Sequence, residues 1–330
     1  MNYARVDLHL HLDGSFYLPW AYETSLKEKV ISENTTFEQY MSMLLKKEQI
    51  SHEEAIAKFE LTCNILQTRE DLKMATWHLA RMLNDQGLYY AEIRFASQQH
   101  CKKGLSQLEA LQAVADGVKQ ARIDFPDIEI RIINCMMHKG DSALFNEKEN
   151  LETIEVTRQM LGKEVVAIDL AGYENTGDFN LYAPLFKKIR EYGMPCTCHA
   201  GEMGNGENVH IALGWGVDRI GHGINCVQKK EWLDEIVAKQ TPMEICLSSN
   251  SGTWDYFTHP ILELAKAGAK ITLNTDNTMF SQTELCHEYA RAACLGFSQE
   301  QLKQFTLNSI DAAFCEEEVK EKIRNKILAE

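Results

Sequence analysis

Eight short apolar runs of strand type, separated by charged segments of helical period, constrain this chain more than any other feature. They are ARVDLHLH (4–11), YYAEIRFA (89–96), IEIRIINCMM (128–137), VVAIDLAG (165–172), PCTCHAG (195–201), RIGHGI (219–224), MEICLSS (243–249) and KITLNTD (270–276). Strands rich in β-branched residues that alternate with amphipathic helices pair in parallel, because each return crossing needs a helix. Eight of them predict a closed (β/α)8 TIM barrel of the α/β class, and 330 residues is an ordinary size for one. Residues 12–88, between the first two runs, are far longer than one crossover requires. They read as extra helices, SHEEAIAKFELTCNILQ and REDLKMATWHLARMLNDQG among them, with no linker-like stretch. An insertion after the first barrel strand lies over the C-terminal face, so a lid is expected, with its second half equally suited to decorating the barrel side. The whole of 1–330 is read as one domain.

Charge and cysteine usage narrow the partners. A formal net charge of −14 disfavours a nucleic-acid backbone or an anionic membrane surface and leaves a small uncharged substrate open. No apolar run approaches the roughly 20 residues that span a bilayer. The opening MNYARVDLHLHLDG has neither a basic nor an apolar leader segment. Ten cysteines are scattered without a C-x-x-C pair, which fits thiols in a reducing cytoplasm. Cys196 and Cys198 read as core-facing thiols.

Polar residues gather at the C-terminal ends of the runs, where barrels place their chemistry. His9 and His11 are two apart on a strand, so both side chains face the same way. One such histidine is ordinarily structural. Two together with His199, His222 and Asp276, each closing another strand, describe a metal site. Such N and O donors suit one Zn²⁺, with Fe²⁺, Co²⁺ or Mn²⁺ as substitutes. Glu202, three residues after His199, is placed as a proton carrier rather than a ligand.

These motifs resemble the adenosine deaminase family of the metal-dependent amidohydrolases. The resemblance rests on HLHLDGS (9–15), VVAIDLAGYE (165–174), HAGE (199–202), RIGHG (219–223), SSN (248–250), THP (258–260) and NTDN (274–277). It implies His9, His11, His199 and Asp276 as metal ligands, His11 lying within reach of substrate as well. Glu202 would protonate purine N1, and His222 would orient the attacking hydroxide. Gly172 would meet N3, and Asp13 the ribose 5′-hydroxyl. The implied reaction converts adenosine, and 2′-deoxyadenosine, to the inosine product plus ammonia. Better-known members carry two aspartates and then proline where this chain has Asp276, Asn277 and Thr278. The second position contacts purine N7, an acceptor, and an Asn amide donates to it without needing an extra proton. Asn277 is therefore expected as a substrate contact, a plain loop-turn residue being the other reading, and a deaminase of adenine or of a 5′- or N6-modified adenosine is the alternative function. A two-metal amidohydrolase would place a lysine at the end of the fourth strand, where DLAGYEN has none. An AMP-specific enzyme would place basic residues where HLDGSFYLPW offers an acid. A non-catalytic binder would not need Glu202.

Overall fold

The computed structural model describes residues 3–45, 52–139, 144–174, 177–251 and 256–330. Among them, eight strands match the eight runs: β1 (Val6–His11), β2 (Tyr90–Phe95), β3 (Glu129–His138), β4 (Val165–Gly172), β5 (His199–Ala200), β6 (Ile220–His222), β7 (Met243–Ile245) and β8 (Ile271–Leu273). Neighbours pair in parallel, β1 to β4 in one sheet and β5 to β8 in another. Two parallel bridges join the sheets, Leu10 with Asp276 and Ile168 with Cys196. Across the first, His11 N–H donates to the Asp276 carbonyl at 2.9 Å and Asp276 N–H to the His9 carbonyl at 2.7 Å. Across the second, Thr197 N–H donates to the Ile168 carbonyl at 3.0 Å. The strands so form the closed ring that their alternation with helices predicts.

The strands β5 to β8 are shorter than their runs. Their ends turn out of the ladder in left-handed backbone: φ is 69° at Gly201, 59° at His222, 73° at Gly223 and 64° at Asp276. After β7 the chain passes directly into a helical turn, Leu247–Asn250. Left-handed φ at a residue with a Cβ costs about 1–2 kcal/mol, and His222 and Asp276 both adopt it at the ring's mouth.

The insertion divides as its two possible uses suggest. It contains α1 (Leu18–Lys27), α2 (Phe37–Leu44), α3 (His52–Ile65) and α4 (Arg69–Asp85). Ser51, the start of the SHEEAIAKF segment, lies outside the described residues. From α3, Phe59 meets Phe280 edge-on at 4.8 Å between ring centroids, which puts that helix against the loop after β8. In contrast, α4 packs on α5 (Gln107–Asp124), the helix between β2 and β3. Ser106 caps α5 by a reciprocal exchange with Glu109, and Ala110, Leu111, Val114, Val118 and Ala121 form its buried stripe. Gly117 is the point of closest approach. A Cβ there would stand 2.6 Å from Thr76 Cβ and 2.7 Å from the Lys73 carbonyl, so Gly117→Ala would cost about 1–3 kcal/mol in overpacking. Cys196 and Cys198 are fully buried, and all ten cysteines are free. No helix among the described residues is long and apolar enough to cross a membrane.

Candidate metal centre and active site

The strand period puts His9 and His11 on the same face of β1, and the closed ring brings His199, His222 and Asp276 to them. Ligand atoms of His9, His199, His222 and Asp276 lie within 4.8 Å of one another. His11 Nε2 stands 3.3 Å from His199 Nε2 and 3.3 Å from Asp276 Oδ1. His9 Nε2 is 3.6 Å from the same carboxylate oxygen and, though fully buried, has no hydrogen-bond partner. Behind the rings stand acids. His9 Nδ1 donates to Glu244 Oε2 at 2.7 Å, and His199 Nδ1 lies 3.0 Å from Asp169 Oδ2 in an off-axis polar contact. These acids draw the ring protons to Nδ1 and turn the Nε2 lone pairs inward. Burial pulls the His11 imidazole down to about 3, so it too faces the cluster uncharged. Lone pairs and a carboxylate converging in a buried space repel one another, and a cation at their centre relieves this. Three imidazole nitrogens and one carboxylate oxygen fit a Zn²⁺-type ion.

Below this cluster lies a charged network that sequence reading missed. Arg94 spans Asp169 at 2.9 Å and Glu244 at 2.8 Å, while Arg219 spans Glu244 and Glu92, both at 2.6 Å. Glu244 also accepts from Thr197 Oγ1 at 3.1 Å. Burial works to raise the Glu244 carboxyl, but Arg94 and Arg219 outweigh it and hold the group well below its usual range. Glu244 so stays ionised behind His9. A signal was present: charges stand inside otherwise largely apolar strands, two in AEIRF and one each in AIDLAG, RIGHG and MEIC. Such residues are buried only when paired.

Glu202 sits past the end of β5 with its Oε2 3.5 Å from His222 Nε2. Its backbone is held by Glu174, another residue that the sequence reading left without a role. The buried Glu174 carboxylate accepts from the N–H groups of Gly201, Glu202 and Met203, and from Asn208 Nδ2 at 2.7 Å. A further chain orients His222. The Ile261 N–H donates to His259 Nδ1 at 3.1 Å, so His259 Nε2 carries the proton that faces Asn250 Oδ1 at 3.4 Å. Asn250 Nδ2 then donates to His222 Nδ1 at 3.1 Å. This leaves the His222 proton on Nε2, aimed towards Glu202. The SSN and THP motifs thus supply a fixed tautomer.

Comparison with known proteins agrees with this architecture. The sequence matches the adenosine deaminase family over residues 4–330. The chain belongs to the adenosine deaminase family. It is 34% identical over 335 residues to an adenosine deaminase of Clostridium perfringens, covering 99% of each chain. It is 36% identical over 327 residues to that of Haemophilus ducreyi, covering 97% of this chain and 94% of the relative. Among solved structures, an adenine deaminase from Arthrobacter aurescens superposes with a TM-score of 0.89 at 21% identity, covering 99% of this chain and 98% of that one. An amidohydrolase from Burkhoderia ambifaria with bound Zn also gives 0.89 at 21% identity, covering 99% and 91%. Both share the fold.

The remaining residues expected from the adenosine deaminase resemblance lie around the same mouth. Asp13 is buried in the 3-10 turn Leu12–Gly14, its Oδ1 3.9 Å from His11 Nδ1. Gly172 ends β4 at φ 104°, where a Cβ would stand 2.6 Å from the His138 carbonyl. Asn277 gives one amide hydrogen to Asp276 Oδ1 at 2.8 Å. It packs so closely on Gly14 that a Cβ there would fall 1.8 Å from its Oδ1. Ser249 Oγ donates to the other Asp276 oxygen at 2.5 Å.

Proposed function

We propose that this chain, as one metal-dependent deaminase domain over 1–330, hydrolyses adenosine and 2′-deoxyadenosine to the inosine product and ammonia. The observation that carries this reading is the Glu202–His222 contact, 3.5 Å, at the edge of a converging His9, His11, His199 and Asp276 cluster. Those four residues would hold one divalent ion per chain. Zn²⁺ is favoured by the donor set and by the solved neighbour with bound Zn. When bound, such an ion acidifies water and so supplies hydroxide near neutral pH.

The chain's own residues do the rest. Glu202, in its acid form, gives a proton to purine N1, which draws electrons from C6 and opens that carbon to attack. Attack of a water-derived oxygen on C6 would then break the C6–N6 bond, and the amine would depart as ammonia. One proton from water ends on N1 and the other on the leaving amine, with Glu202 as carrier. His222 donates from Nε2 towards the attacking oxygen, a role its Asn250-fixed tautomer suits better than metal ligation. Gly172 offers its N–H to N3, Asn277 its second amide hydrogen to N7, and Asp13 accepts from the 5′-hydroxyl. An ionised Asp13 would repel a 5′-phosphate, which favours a nucleoside over a nucleotide. The unpaired thiols suit a reducing cytoplasm.

Ammonia release across adenosine, 2′-deoxyadenosine, adenine, 5′- and N6-modified adenosines and AMP tests the reading. Adenosine is expected to have the highest kcat/KM, and a clear preference for any modified aminopurine would replace it.

A further inference from the structure

A second set of ligand atoms lies beside the mouth. One atom each from Asp13, Cys63 and His100 falls within 4.8 Å of the others. The three residues are 5%, 3% and 0% exposed. They come from separate segments: the turn after β1, the helix α3, and the 3-10 turn Ser97–His100 after β2. His100 Nδ1 lies 3.0 Å from the Leu66 carbonyl, which places the ring proton there and leaves a lone pair on Nε2. That Nε2 faces Asp13 Oδ2 at 3.7 Å. Both His100 Nε2 and Asp13 Oδ1 are buried without a hydrogen-bond partner. The Cys63 thiol completes the group, and its proton is directed to Gln99 Oε1 at 3.0 Å. A partnerless His100 Nε2 lone pair facing the Asp13 carboxylate, with a polarisable sulfur beside them, lacks a positive centre.

We propose that Asp13, Cys63 and His100 form a second, weaker and inhibitory site for a borderline-soft divalent cation of the Zn²⁺ class. One sulfur, one nitrogen and one oxygen donor suit Zn²⁺ or Co²⁺ and not Mg²⁺ or Ca²⁺, which take oxygen donors. Binding is weaker than at the histidine cluster because the thiol must first lose its proton, which passes to solvent as the S–metal bond forms. Burial and the neighbouring Asp13 charge both oppose that loss before a cation binds. The inhibitory part rests on the function proposed above. A cation held by Asp13 removes the carboxylate that accepts from the nucleoside 5′-hydroxyl, so metal and substrate compete.

The two sites differ in one readable respect, since the histidine cluster has no sulfur. Protein carrying one equivalent of Co²⁺ is titrated with more Co²⁺, and the thiolate-to-cobalt charge-transfer absorption in the near ultraviolet is followed. The expected result is a band that saturates at about one further equivalent. It is lost in Cys63→Ala and in Cys63→Ser, both of which keep wild-type turnover in the absence of excess metal. These variants also separate Cys63 from the exposed thiols Cys286 and Cys294. No band in folded wild-type protein, or a band that survives in both variants, overturns the site. In the activity assay, Zn²⁺ at about ten times its dissociation constant should raise the apparent KM about tenfold by mass action and leave kcat unchanged. The Cys63 variants should escape this. A band without any change in KM keeps the site and overturns its inhibitory role. If adenosine is not the substrate, the absorption test still decides the site alone.

Discussion

The Glu174 carboxylate holds the backbone N–H of Glu202 at 2.9 Å, so a buried acid fixes where a half-buried one can reach. Four N–H donors converge on Glu174, three of them backbone groups of the loop that carries Glu202. In Glu174→Gln one acceptor oxygen becomes a donor that faces other donors, and the loop must shift. A misplacement of about 1 Å in a catalytic group can cost about 10²-fold in rate. Turnover should therefore fall about 10- to 100-fold, with KM and metal content nearly unchanged. A variant that instead loses metal, or raises KM at constant kcat, would show that Glu174 does not act through Glu202.

Glu202 itself separates chemistry from binding. Glu202→Gln is expected to retain about one tightly bound divalent ion per chain and to lose at least about 10²-fold in turnover. His199→Ala should lose the ion as well, because His199 Nε2 faces the cluster centre. Elemental analysis and ammonia release on the same samples check both. Two equivalents required for full activity would rule out the single-ion site.

The N7 contact proposed for Asn277 would bear on substrate choice. One of the Asn277 amide hydrogens is committed to Asp276 Oδ1, and an amide has two. The second is available for N7 of a bound purine, a neutral hydrogen bond worth about 0.5–1.5 kcal/mol, with more lost if a buried group is left unpaired. Replacing N7 by carbon should lower kcat/KM about 3- to 100-fold. Equal turnover of adenosine and its 7-deaza analogue would remove Asn277 from the recognition of the base.

Acid stability should depend on His259. Burial lowers this imidazole from 6.5 to about 4, and it faces Asn250 and the Ile261 N–H. Below pH 6.5 the unfolded chain binds a proton there that the folded chain refuses until about pH 4. The stabilisation is complete above pH 6.5 and is lost as the pH falls towards 4. The loss is on the order of 3 kcal/mol at most. Buried His138, lowered to about 3, adds to the same slope. Urea unfolding between pH 7 and 4 should show a shallower decline for His259→Gln than for wild type. Parallel curves for the two proteins would exclude this assignment.

Much of the frame was legible because it is local. The run 165–172 coincides with β4 residue for residue, since a short, nearly continuous apolar run that opens on β-branched residues favours extended backbone. The shared face of His9 and His11 follows from the two-residue period of a strand. The early ends of β6 and β8 were not legible, because His222 and Asp276 take left-handed backbone only where the ring mouth holds them.

The partners of the buried charges were decided by tertiary structure alone. Arg94 meets Glu244 across 150 residues of sequence, and Glu174 meets Glu202 across 28. His259 reaches His222 only through Asn250. A strand forms from the sterics of its own residues, so its pattern is written along the chain. A buried charge is stable only beside a particular opposite charge or donor, and that distance exists once the ring has closed through Leu10 with Asp276 and Ile168 with Cys196.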